Sequence, residues 1–276
     1  MKALSAQLSY QESRICAARG ETARAGDLLA DALKRDPRLL VARLELTRLL
    51  VAAGKAKNGL VILDQAPPAQ QSTVQFVFFR NMTLIAAGYL DEARKSVDAA
   101  LAVARVPGFL YQDAVLRMKA GDLAGARESL DSAFQMAPAD EPTIAMLGDV
   151  MRQQKEFPKY VELVKQAAAK NPASPALQTT LGNLLAPQGD SAGARTAYDA
   201  AKAGGDTVNP EIETALLDLR SGAVDKAKDR LLKLVKAHDN VRARIVLADI
   251  EMRSGSGDGP VEQYPKPFSW SRPMCS

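Results

Sequence analysis

Histidine and tryptophan occur once each in these 276 residues, cysteine twice, and aromatic residues make up only 5%. Each scarcity removes a class of function. His238 is the lone imidazole, and Cys16 and Cys275 stand near opposite ends, so there is no ligand set for structural zinc and no disulfide framework. No second histidine exists to activate Cys16 as a nucleophile, and Cys16 reads as a small core residue. His238, in "LVKAHDN", falls at the end of a helical stretch, where a cation complements the helix dipole. The one glycine-flanked basic stretch, "GKAKNG", follows a helical pattern and lacks the Lys-Ser/Thr ending of a phosphate loop. No apolar run approaches the ~18 residues that would span a bilayer. The opening "MKALSAQLSYQESRIC" lacks the continuous apolar stretch of a secretory signal, which makes the cytoplasm the default location. A net charge of +4 is too mild to point by itself to nucleic acid or an anionic membrane. The expectation is a non-enzyme with no cofactor and no small-molecule substrate.

What is abundant is alanine and leucine, within a 47% hydrophobic and 25% charged chain, a bias that favours helices. The apolar pattern is punctuated at a fixed interval. Gly20, Gly54, Gly88, Gly121, Gly189, Gly222 and Gly255 each close a helical stretch, and Lys155 fills the missing place. Successive spacings are 34, 34, 33, 34, 34, 33 and 33 residues. Shortly after each comes a site that is usually small: Ala25, Gly59, Ala93, Ala126, Ala194 and Ala227, with Tyr160 the exception. Seven residues further stand Ala32, Ala66, Ala100, Ala133, Ala167, Ala201 and Leu234. Pro37, Pro138 and Pro172 then close three of the units. Glycine at a helix end supplies the left-handed turn that reverses the chain, and proline stops the second helix. Small residues let that helix press closely on its neighbours. Each unit is therefore two antiparallel helices that cannot bury their apolar faces alone.

On these residues the chain resembles the tetratricopeptide repeat family, in a degenerate, bacterial-type form. The best-matching units are 142–172 and 176–205, with Leu-Gly pairs at Leu147-Gly148 and Leu181-Gly182, and with Ala194, Tyr198 and Ala201 in a second helix. No unit has the Trp or Tyr that the family favours in the first helix, and Gly59 weakens one second helix by roughly 1 kcal/mol relative to Ala. The resemblance implies an all-α, right-handed superhelical solenoid of seven repeats plus one further first helix over residues 6–255. It also implies a protein or peptide partner held in the concave groove lined by the first helices, and a scaffold's role, including in bacterial envelope or exopolysaccharide assembly.

"TVQFVFFRNM" (73–82) looks alone like a buried strand, but within the period it opens the first helix of the third repeat. Phe78, Met82 and Ile85 form one stripe there, and Tyr111, Val115 and Met118 form its counterpart in the next repeat. Counting back from Gly88 puts Val77, Arg80, Asn81 and Leu84 inward; the same count in the next repeat buries Asp113 and Arg117. Burying such groups without partners costs several kcal/mol. A register rotated by one residue, with Phe78, Met82 and Ile85 in the core and Phe79 facing the groove, avoids that cost. A groove lining for Phe78 is the alternative. In the better-matching repeats the groove stripes are Ala145, Asp149 and Arg152, then Thr179, Asn183 and Ala186, with Arg48 in the similar place of the second repeat. Asn183 alone does not make the carboxylate clamp of some family members, because Thr179 stands where its lysine would be. The candidate partner-binding residues are Arg48, Phe78, Phe79, Tyr111, Asp149, Arg152 and Asn183.

The segment "DKAKDRLLKLVKAH" (225–238) reads as the second helix of the seventh repeat, or alternatively as a basic amphipathic helix for RNA or an anionic membrane. After Gly255 the period gives way to "SGSGDGPVEQYPKPFSWSRPMCS", whose composition suits a flexible tail over 256–276. The early entry into the first repeat and the half-finished eighth suggest a shortened or frame-shifted piece of a longer array. In that case an export signal or lipid anchor would precede it.

Overall fold

The computed structural model describes residues 2–238 and 240–253, and the 256–276 tail, with Gly255, Trp270 and Cys275, lies outside them. Among the described residues there is no strand. The helices in order are α1 (Lys2–Ala18), α2 (Thr22–Arg35), α3 (Leu40–Ala52), α4 (Ala56–Asp64), α5 (Pro68–Gln71), α6 (Val74–Ala87), α7 (Leu90–Val103) and α8 (Pro107–Lys119). They continue with α9 (Leu123–Met136), α10 (Glu141–Gln153), α11 (Phe157–Lys170), α12 (Pro175–Leu185), α13 (Ser191–Ala203), α14 (Asn209–Arg220), α15 (Val224–Ala237) and α16 (Val241–Arg253).

The chain divides into two units, Met1–Ala137 with Pro142–Gln154, and Pro138–Glu141 with Lys155–Ser276. In the first, the hairpins α1/α2, α3/α4, α6/α7 and α8/α9 follow one another and α10 comes last. In the second, α11 is followed by the hairpins α12/α13 and α14/α15 and then by α16. Each is an array of helix pairs, as the period requires.

The turn positions obey one rule. Gly20, Gly54, Gly88, Gly121, Gly189 and Gly222 all have φ between 72° and 86°, and Lys155, at φ 62°, is the one non-glycine residue with positive φ among the described residues. A side chain in that conformation costs about 1–2 kcal/mol. Lys155→Gly is therefore expected to stabilise the chain by about 1 kcal/mol, offset in part by glycine's extra chain entropy, and to raise the urea midpoint. An unchanged or lower midpoint would count against a strained turn there.

The small-residue positions are where second helices press inward. Ala25, Ala93, Ala126, Ala194 and Ala227 are fully buried, as are Ala32, Ala133 and Ala201, while Ala100 is half-buried. Gly59 is buried too. A Cβ there would lie 3.1 Å from the Thr47 methyl and 3.3 Å from that of Thr83, so the glycine lets α4 approach α3 and α6.

Helix starts are fixed by side chains: Thr73 accepts from the Phe76 amide, Asp122 from Gly125, Ser174 from Leu177 and Asp190 from Gly193. The aromatic segment is thus a helix, α6, opened by the Thr73 cap. The repeat pattern does not anticipate α5, a single turn in the link between α4 and α6. It follows from the brevity of α4, whose last turn is capped from outside. The buried Arg43 of α3 donates to the Ile62 carbonyl and, at 2.8 Å, to that of Pro37. A cation at a helix C-terminus complements the dipole.

Candidate partner-binding face

Within the first unit, the left-handed turns set which face of each first helix looks inward. On α6, Asn81 and Leu84 are buried, while Val77 and Arg80 are half-buried; on α8, Leu110, Asp113 and Ala114 are buried. This is the unrotated register. The expected one-residue slip that would bury Phe78 and Met82 does not occur, because Asn81 Nδ2, Arg80, Asp113 and Arg117 all have partners, although Asn81 Oδ1 is buried without one.

Asn81 Nδ2 donates to Gln112 Oε1 at 3.0 Å, and Gln112 Nε2 donates to the Phe78 carbonyl at 2.7 Å. Two buried amides thus bolt α6 to α8. Arg80 reaches Glu92 at 3.0 Å and Asp64 at 3.5 Å. Asp113 accepts from Arg94 Nη1 at 2.6 Å, from Arg117 Nε at 2.8 Å and from the Ser129 hydroxyl. Burial pushes its carboxyl up, but the hydrogen bonds from Ser129, Arg117 and Arg94 outweigh burial and hold it below the usual carboxylate range. In the second unit the buried Asp218 is held the same way: burial raises it, and Arg195 at 2.5 Å and Arg230 at 3.2 Å lower it further. Such carboxylates are saturated structural anions. A general base, by contrast, works best with a pKa near the operating pH. Among the described residues no group of His, Cys, Asp and Glu could hold a metal ion.

In this register Phe78 and Met82 stay partly exposed, as do Tyr111, Val115 and Met118, while Ile85 is buried. The Phe78 ring rests on Gly108, 3.1 Å from where a Cβ would stand, and meets the Phe79 ring edge-on at 5.9 Å. Phe79 itself packs against the cluster of Leu44, Leu63, Ala66 and Phe76, so its ring is engaged between the second and third hairpins. Met82 and Val115 rest one side on the core around Leu84, Val97 and Leu116.

Counted from their turns, Ala145, Asp149 and Arg152 of α10 hold the same places as Phe78, Met82 and Ile85, and all three are exposed. Asp149 accepts from Arg152 at 2.9 Å. Arg48 of α3, at the Met82 and Asp149 place, is exposed and pairs with Glu45 at 2.7 Å. Six of the seven candidates thus lie on first helices of the first unit. Asn183 lies on α12 of the second, exposed, and accepts from the Tyr198 hydroxyl at 2.8 Å.

The sequence reading missed the buried set Asn81, Gln112, Asp113 and Asp218. The available signal was the unrotated count itself, which put Asn81 and Asp113 inward. What it could not show was that Arg94 and Ser129 would arrive from α7 and α9. The basic segment 225–238 is α15, a second helix. Its Ala227, Leu231 and Leu234 are buried against α14 and α16, Lys228 lies 3.6 Å from Glu251, and Arg230 is bound to Glu211 and Asp218. That apolar face is not available to a membrane. His238 is the residue that caps α15, and its amide donates to the Leu234 carbonyl. Among the described residues no helix is long and apolar enough to cross a membrane.

No protein-family model matches the chain, and no curated protein matches it. Solved structures do. A tetratricopeptide repeat protein from Parabacteroides merdae aligns at 13% identity with a TM-score of 0.51, covering 90% of this chain and 99% of its own. Yeast Tom70 aligns at 16% identity with a TM-score of 0.59 over 85% of this chain and 52% of its own. The Cut9–Hcn1 hetero-tetramer of the APC/C gives 13% identity and a TM-score of 0.50 over 88% of this chain and 49% of that one. This chain spans about half the length of the last two. At these identities the likeness is one of fold.

Proposed function

We propose that this chain, which has the fold of the tetratricopeptide repeat proteins, is a non-catalytic scaffold that binds a protein or peptide segment on the first helices of its first unit. One observation carries the reading. Successive first helices present side chains at the same places relative to their turns, apolar on α6 and α8 (Phe78, Met82, Tyr111, Val115) and charged on α10 (Asp149, Arg152). An extended or helical segment with an apolar anchor and a charged flank fits such a face. The partly exposed rings supply contact area that is already ordered, which lowers the entropy lost on binding. Phe79 supports Phe78 from behind, and Arg48 extends the face on α3. Envelope or exopolysaccharide assembly is the narrower setting that the alanine-rich, loosely matched repeats suggest.

Affinity capture from host lysate, read by mass spectrometry, tests the proposal. The comparison is between wild type and the variant Phe78→Ala, Arg152→Glu, with circular dichroism showing both folded. A partner retained by wild type and depleted about tenfold or more by the variant is the expected result, since the variant removes an aromatic anchor and reverses a charge. Equal capture by both would overturn the assignment of the face. Retention that collapses between low and high salt would point instead to phosphate contacts and an RNA partner.

A further inference from the structure

Two buried places recur in each hairpin of the two units. Seven residues before the turn stand Ser13, Thr47, Asn81, Ala114, Gly182 and Ala215, all buried on a first helix. Nine residues after the turn stand Leu29, Leu63, Val97, Leu130, Tyr198 and Leu231, each at most 2% exposed on the second. The two places meet across the hairpin: the Tyr198 ring lies over Gly182, and Ala215 shares a core cluster with Leu231. The stretch of chain that follows a turn thus supplies the cover for the first helix before it.

The last described helix, α16, departs from this rule. Ala243, Leu247 and Ile250 are buried against Ile212, Ala215, Ala227 and Leu231 of α14 and α15. Ala248 holds the first of the two places, seven residues before Gly255, yet it is only half-buried. Ile245 and Met252 beside it are 55% and 63% exposed. The second place, nine residues after Gly255, falls on Tyr264. Pro265 follows it directly, with Pro260 and Pro267 close by. A proline inside a helix costs about 3 kcal/mol, and a residue before proline is pushed to extended backbone, so a ring at 264 cannot arrive on an ordinary second helix.

We propose that the chain caps its own array: the segment after α16 folds back as an extended strap, and the Tyr264 ring seats on Ala248 between Ile245 and Met252. Ala248 receives the ring as Gly182 receives that of Tyr198. Eleven residues lead from Arg253 to Tyr264 and span up to about 36 Å, while Ala248 lies about 7.5 Å back along the helix, so the ring reaches its seat with slack. A tether this short sets a local concentration on the order of millimolar, which favours the chain's own segment over a second copy or a separate partner. Pro265 and Pro267 restrict the strap before it docks, which reduces the entropy lost on ordering it.

Hydrogen exchange of the full chain tests the strap. In Tyr264→Ser, exchange across residues 241–252 should quicken about tenfold, as for loss of one anchor, while α3 and α4 exchange as in wild type. Tyr264→Phe, which keeps the ring, should retain the protection. Ile245→Ser should quicken exchange in the same helix, and adding Tyr264→Ser to it should change little more, because both substitutions remove one contact. That non-additivity separates the seat from a local weakening of α16. A Tyr264→Ser chain that exchanges like wild type overturns the proposal, as does a Tyr264→Phe chain that has lost the protection, or additive effects in the double variant. Protection of α16 that rises with protein concentration between about 1 and about 200 µM would assign the face to a second copy and overturns it as well.

Discussion

Gly182→Ala is expected to destabilise the second unit by about 2–3 kcal/mol, the upper range for overfilling a packed interior. A Cβ at Gly182 would stand 2.3 Å from Cε1, 2.6 Å from Cδ1 and 2.8 Å from Cζ of Tyr198. Neither side can yield cheaply. Gly182 lies in the body of α12, and the Tyr198 ring is fully buried on α13, with its hydroxyl donating to Asn183 Oδ1 at 2.8 Å. Burial first, and then the charge of Glu213, push the phenol above its ordinary pKa, so it remains a donor throughout the usual pH range. This is the physical content of the Leu181-Gly182 pair: the glycine is the seat of an aromatic ring from the second helix. The helix propensity regained by Ala, roughly 1 kcal/mol, opposes the loss without cancelling it. Hydrogen exchange should quicken across α12 and α13 and the thermal transition should fall, while Gly182→Ala, Tyr198→Leu recovers part of the loss. A Gly182→Ala protein that melts with wild type would mean the ring does not sit there.

Asp113→Asn should cost about 3 kcal/mol, the lower end for breaking a buried ion pair, because Arg94 and Arg117 keep Asp98 and Asp122 as partners and reach solvent. The pH dependence gives a sharper test. The Asp113 carboxyl is held below its unfolded value, so on unfolding in acid the chain takes up a proton there. Its stabilisation is therefore fully present above about pH 4, the unfolded aspartate range, and is lost as pH falls through the lower folded value. The variant has no such proton to take up. Its stability should fall less steeply than that of wild type in acid, and the two curves should converge. Parallel curves would show that the folded chain does not hold the Asp113 carboxyl below its unfolded value.

Both residues belong to one lesson about legibility. The turns were readable because a left-handed residue is a local requirement, met wherever a helix must reverse. Even Lys155 could be assigned its place from spacing, and it alone among the described non-glycine residues adopts that backbone. The alanine sites were readable because close helix approach needs small side chains whatever the partner is. The register of α6 and α8 was open to a wrong turn, since a lone Asn81 or Asp113 looks too costly to bury. Its solution, in Gln112, Arg94, Arg117 and Ser129, is divided among helices up to 31 residues away. Arg43 is the same case: a buried cation makes sense only once the last turn of α4 is seen to end beneath it. The groove candidates were legible as positions on first helices. Whether a ring such as Phe79 is offered or engaged was decided by Leu44, Leu63 and Phe76, which belong to other elements.

By itself, then, the sequence determined the repeat length, the alternation of first and second helices, the reversal points and the small-residue contacts, because each follows from backbone conformation or side-chain size at a single position. The tertiary structure decided which polar groups go inside and which aromatic rings remain partly exposed. Those outcomes depend on hydrogen-bond partners and packing surfaces from neighbouring repeats, and burial is favourable only when both members of such a pair are present.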